Sequence, residues 1–95
     1  MLTHKGVSLN LADSTVEYNG KKRDLTKNEF RILYRLFLDP GKIITRYDLM
    51  NYLWENELFI EDNTLNVNIT RIRQKLSEMG AEDFIITKRA QGYMI

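Results

Sequence analysis

"DNTLNVNITRIRQKL", residues 62 to 76, decides how the rest of the chain is read. Its large apolar residues Leu65, Ile69, Ile72 and Leu76 recur at spacings of four, three and four, as in a helix that turns one narrow stripe to a core. The uncovered face carries Asn63, Asn66, Thr70, Arg71, Arg73, Gln74 and Lys75, and no acid intervenes from Asn63 until Glu78. A merely solvated face intersperses both signs of charge and favours residues that stabilise the helix. Here Asn63, Thr64, Asn66, Asn68 and Thr70 are poor helix formers, so something other than helix stability selected them. Val67 lies opposite the apolar stripe with no core to explain it.

Such a face suits a helix lying in the major groove of duplex DNA. There the Arg71 fork can read guanine O6 and N7, and Val67 can meet a thymine methyl. Residues at the edges of the face, Asn68 and Lys75 on one side and Arg73 on the other, are donors suited to phosphates, which fix register without reading sequence. The plain alternative is a solvent-exposed polar helix, and the residue choice above weighs against it.

The flanking segments place this helix in a fold. "VSLNL" (7 to 11) alternates apolar and polar residues as a half-buried strand does, and residues 2 to 5 add a further strand. "TVEY" follows, then Asn19-Gly20, which supplies the positive φ angles of a tight hairpin turn before "KKRDL". Thr26 and Glu29 form a capping box, with Leu25 and Phe30 as a hydrophobic staple, for a helix that buries Phe30, Leu33, Leu36 and Phe37 and stops at Asp39-Pro40-Gly41. After extended residues 42 to 44, Thr45 and Asp48 repeat the cap and Ile44 and Leu49 the staple, for a second helix ending near Trp54. Asp62 caps the third helix and Gly80 ends it. "FIITK", a turn at "RAQG" and "YMI" then close the chain as a hairpin. Strands, three helices and a two-stranded hairpin are the order of a winged helix, with the third helix as the reading element. Lys88 and Arg89 stand at the tip of the wing, where a flexible cation can enter a minor groove.

Length and composition agree with one domain. The chain has 95 residues, 43% hydrophobic and 28% charged, with one Pro, five Gly and no Cys. Absence of Cys, of a signal peptide and of any long apolar run points to the cytoplasm. The net charge of +1 conceals local segregation: residues 55 to 62 hold four acids and no base, and residues 63 to 76 hold three bases and no acid. An enzyme is opposed by the inventory. His4 is the sole His and reads as a solvated residue near the terminus, and without Cys or a Gly-rich phosphate loop neither a nucleophile–base pair nor a familiar metal cluster can be built. No catalytic residue, metal or cofactor is expected.

Taken together, "LTKNEF", "DPGKIITRYDLMNYLW", the third helix and "ITKRAQGY" resemble the OmpR/PhoB family of response-regulator output domains over essentially the whole chain. In detail they look most like its branch of BceR and GraR types, which answers cell-envelope-active peptides. The resemblance implies an α+β winged helix-turn-helix with an N-terminal four-stranded antiparallel sheet, three helices and a C-terminal β-hairpin wing. It also implies binding to double-stranded DNA as tandem copies on direct repeats. By motif position, Arg71 would read a base, Val67 would pack against one and Arg89 would enter the minor groove. Trp54, Thr64, Asn68, Arg73 and Tyr93 would meet the phosphate backbone together with Lys75 and Lys88, and Thr87 would support the wing there. The loop of Glu55, Glu57, Leu58, Phe59 and Glu61 falls where family members contact RNA polymerase.

The same resemblance implies a phosphoacceptor receiver domain that residues 1 to 95 do not include. The chain thus reads as an excised output domain ending at or just short of the natural terminus, monomeric alone and dimeric through the receiver. Three departures stand out: Asn63 and Thr70 where many relatives have Arg, which should weaken phosphate contacts, and Ala90 where Gly is usual. The rival reading is a winged-helix protein-interaction module, with "ELFI" in the acidic loop as its docking patch.

Overall fold

The computed structural model describes residues 1–56 and 61–95. Four strands, β1 (Leu2–His4), β2 (Val7–Asn10), β3 (Thr15–Tyr18) and β4 (Lys21–Asp24), form an antiparallel meander in the order β1-β2-β3-β4. Lys5 and Gly6 have φ of 50° and 82°, and Asn19 and Gly20 have 53° and 79°, so two tight turns with consecutive positive φ set the registers His4↔Val7 and Tyr18↔Lys21. Alternation then sends Val7, Leu9 and Val16 to the core.

Helix α1 (Lys27–Leu38) begins with the complete capping box: Thr26 N donates to Glu29 Oε1 (2.8 Å) and Glu29 N to Thr26 Oγ1 (3.2 Å). Its inward face is Glu29, Ile32, Leu33, Leu36 and Phe37, the spacing of a helical stripe. Phe30 is therefore not a core residue as expected; one step off that stripe, it is partly buried and stacks on Tyr34 at 6.0 Å between ring centroids, while Ile32 takes the fully buried place.

Strand β5 (Ile44–Thr45) leads into α2 (Arg46–Glu55), capped by Thr45 Oγ1, which accepts from Asp48 N (3.0 Å). The third helix, α3 (Asp62–Met79), buries Leu65, Ile69, Ile72 and Leu76 at 1% exposure or less and ends at Gly80 in the left-handed conformation, φ 101°. Its start differs from expectation. Asp62 lies inside the first turn, and the N-cap is Glu61, which makes no side-chain capping hydrogen bond.

The wing, β6 (Ile86–Lys88) and β7 (Gly92–Met94), is also more than the two-stranded hairpin expected. β5 pairs with β7 through Ile44↔Tyr93 and Thr45↔Gly92, making a three-stranded sheet in the order β5-β7-β6. Gly92 permits this pairing, because a Cβ there would stand 2.0 Å from the Ile44 carbonyl oxygen. The wing is thereby joined to the start of α2 and thus held against the helical core. His4 corrects a further expectation: it is half-buried rather than solvated, its ring meets Phe84 edge-on at 6.0 Å, and its buried Nε2 has no hydrogen-bond partner among the described residues. No helix among the described residues is long and apolar enough to cross a membrane.

Candidate nucleic-acid interface

With its stripe sealed into the core, α3 turns Asn63, Asn66, Val67, Thr70, Arg71 and Gln74 outward. Val67 is 44% exposed, and Arg71 makes no hydrogen bond or ion pair among the described residues. Together with Thr26, Asn28, Asn63, Thr64 and Asn68, these two line a shallow concavity of about 490 Å³ between α3 and the start of α1. Thr70 is exposed but ties its hydroxyl back to the Asn66 carbonyl (3.0 Å).

The two edges of this face are fastened differently. On one edge, Asn68 is 4% exposed and its amide donates to the Thr64 carbonyl (2.8 Å). Lys75 on the same edge donates to Glu29 Oε1 (2.6 Å) and to the Asp24 carbonyl (2.8 Å), so its charge is engaged inside the protein. Glu29 is 1% exposed; its burial pushes the carboxyl pKa up, but hydrogen bonds from Lys75 and from the Thr26 backbone outweigh that and hold it below its ordinary 4.5. The sequence presented Lys75 and Asn68 as outward donors because helical spacing says nothing of what packs beside a helix.

On the other edge, Arg73 donates through Nε to the Ile85 carbonyl (3.1 Å) and through Nη2 to Thr87 Oγ1. The guanidinium thus splints β6 to α3. Tyr93 is 6% exposed, with its hydroxyl between Arg46 and Asn66. Thr87 and Arg89 are exposed, Lys88 is half-buried, and Arg89 sits at the wing tip beside Ala90, whose φ of 62° is left-handed. Trp54 is 50% exposed on α2, and Thr64 is half-buried in the first turns of α3. Of the acidic loop, Glu55 closes α2 and Glu61 precedes α3, both exposed, whereas Glu57, Leu58 and Phe59 lie outside the described residues.

Sequence reasoning missed Arg46 and Asn66 as structural partners. A signal for Arg46 existed: it is the first residue of α2, where a cation opposes the helix dipole, so another contact must favour it. Its hydrogen bonds to Tyr93 and Asn66 are among the contacts that do so.

Comparison with known proteins agrees with this fold. The model of the family described as "Transcriptional regulatory protein, C terminal" matches residues 20–95. The sensory transduction protein BceR of Halalkalibacterium halodurans is 47% identical over 89 residues, which are 94% of this chain and 38% of that protein's own length. The C-terminal domain of the nisin resistance regulator NsrR superposes with a TM-score of 0.89 at 37% identity, covering 99% of this chain and 95% of that one. The DNA-binding domain of the response regulator AdeR, solved in complex with an intercistronic region, has the same fold, with a TM-score of 0.84 at 24% identity over 100% of this chain and 97% of that one.

Proposed function

Since the chain belongs to the family of transcriptional regulatory protein C-terminal domains, the OmpR/PhoB-type DNA-binding output domains of bacterial two-component response regulators, we propose that α3 enters the major groove and the wing the adjacent minor groove. The observation that carries this reading is the bare strip of Val67, Thr70 and Arg71, flanked by groups already immobilised by the protein. Arg71 is an exposed guanidinium with no hydrogen bond or ion pair among the described residues to release before it meets a guanine edge, and Val67 offers an apolar surface to a thymine methyl. Thr64, Trp54 and Lys88 border the strip as backbone contacts, and Arg89 at the exposed tip is the minor-groove cation.

Arg73, Thr87, Lys75, Asn68 and Tyr93 take a second role in this reading. All but Asn68, whose amide bonds back within α3, fix the angles between α3, the wing and α1, so that the reading strip and Arg89 reach the duplex in a set relation. Rigid placement spares the ordering cost of binding. Tandem copies on a direct repeat, brought together through a receiver domain, would then bind by avidity, with phosphorylation acting on the effective concentration of the second copy. The exposed Glu55 and Glu61 mark the segment proposed to meet RNA polymerase.

Selection of duplexes from a random pool by the 95-residue chain tests the reading. A recovered motif, bound with an affinity that falls with salt at a log–log slope of about −3 to −4, is expected for a single domain making a few phosphate contacts. Recovery of no motif above the background of a generic basic protein would favour a protein-interaction module instead.

A further inference from the structure

Asn66 stands where three elements meet. Arg46 Nη1, at the start of α2, donates to Asn66 Oδ1 at 2.8 Å and to the Tyr93 hydroxyl oxygen at 2.6 Å. The Tyr93 hydroxyl, on β7, lies 2.9 Å from the same Asn66 Oδ1 and gives it its single proton. Arg46 also lies over the Tyr93 ring, 5.8 Å from its centroid. An arginine has donors only, so the Asn66 atom facing it must be the carbonyl oxygen, and the orientation of the amide follows from chemistry alone. Both lone pairs of that oxygen are then taken by donors from inside the protein. The amide nitrogen of this exposed residue has no partner among the described residues.

We propose that Arg46 and Tyr93 lock Asn66 as a donor-only reading group, specific for hydrogen-bond acceptors on the duplex and closed to the two-bond recognition that distinguishes adenine from guanine. Adenine recognition by an asparagine needs the amide oxygen to accept from N6 while the nitrogen donates to N7. Here the oxygen is already saturated. The ligand chemistry left to Asn66 is an acceptor oxygen or ring nitrogen: the N7 of either purine, guanine O6, thymine O4, or a phosphate oxygen on the adjacent strand. The lock also explains why Tyr93, though 6% exposed, influences the outer face of α3: its hydroxyl sets the direction in which Asn66 points. Arg46 and Tyr93 act through Asn66 and are positioning residues. The inference rests on the DNA reading above and deepens it.

Asn66→Asp is the discriminating variant, because a carboxylate keeps the shape and both internal bonds while removing every outward donor. The variant is expected to melt no lower than the parent and to lose about ten-fold in affinity for the motif selected by the parent chain. Asn66→Ala, which removes the group entirely, is expected to lose affinity as well. For Asn66→Ala, which adds no charge to the face, a loss confined to duplexes carrying particular bases at one position assigns the acceptor to a base edge; an equal loss on all duplexes assigns it to phosphate. Tyr93→Phe, which frees one lone pair of Oδ1, is expected to raise the preference for adenine over guanine at that position in the base-edge case. If the parent selects a motif and Asn66→Asp binds it unchanged, or if Asn66→Ala specifically loses a preference for adenine over guanine, the inference fails while the DNA reading stands. A parent chain that selects no motif overturns both.

Discussion

Lys75 Nζ lies 2.6 Å from Glu29 Oε1, joining the C-terminal half of α3 to the first turn of α1. The acceptor oxygen is the same one that caps α1 by accepting from Thr26 N, so one buried carboxylate closes a helix terminus and docks a second helix. Lys75→Met would leave Glu29 buried with its cap partner alone and is expected to destabilise the fold by about 3 kcal/mol in urea denaturation. Adding Glu29→Gln, which keeps an acceptor without the charge, is expected to recover most of the loss. Equal destabilisation by the single and double variants would show that the pair is not coupled.

The pair also fixes an acid dependence. The carboxyl of Glu29 is held below its ordinary 4.5 in the folded protein, so the unfolded chain binds its proton first as pH falls. Its contribution to stability is complete above 4.5 and is lost as pH falls below that value and through the lower folded one. Denaturation midpoints measured across that acidic range should drop for the parent and drop less for Glu29→Gln.

Ala90 holds a left-handed φ of 62° at the wing turn, a conformation that strains any side chain with a Cβ. Ala90→Gly is expected to raise stability by about 0.5 kcal/mol, the relief of strain being partly offset by the greater freedom of glycine in the unfolded chain. Gly92→Ala should do the opposite and more strongly, by about 3 kcal/mol, because its Cβ would meet the Ile44 carbonyl and part β5 from β7. Thermal melts of the two variants beside the parent would check both signs.

Arg71 and Arg73 are two residues apart and differ in what they hold. Arg71→Ala is expected to weaken binding to the selected motif by about 1–3 kcal/mol and to relax the preference at one base position. Arg73→Ala removes the splint to Ile85 and Thr87 and should weaken binding to all duplexes alike, with a shallower salt slope. Titrations against matched and scrambled duplexes at several salt concentrations separate them. Reversal of the two patterns would exchange their roles.

The unpartnered Nε2 of His4 is a buried polar atom without compensation. His4→Phe keeps an aromatic ring for Phe84 and is expected to stabilise the protein by about 1 kcal/mol in denaturant titration. No gain would mean that the ring nitrogen is solvated in solution.

By itself the sequence determined the elements and the faces they bury, because those follow from local rules. The capping box at Thr26 and Glu29, the positive-φ pair Asn19-Gly20, the stripe from Leu65 to Leu76 and the terminating Gly80 each act within about one or two turns of chain, and each is found in place. What only the tertiary structure decided is which polar groups remain free on the outer face. Lys75 is engaged by Glu29, 46 residues away, Arg73 by the wing and Asn66 by Arg46 and Tyr93, whereas Arg71 is left open. Periodicity tells on which side of a helix a residue lies but not what another element brings beside it. The difference between a cation that splints and a cation that reads therefore arises only when the sheet, the wing and the helices are packed together.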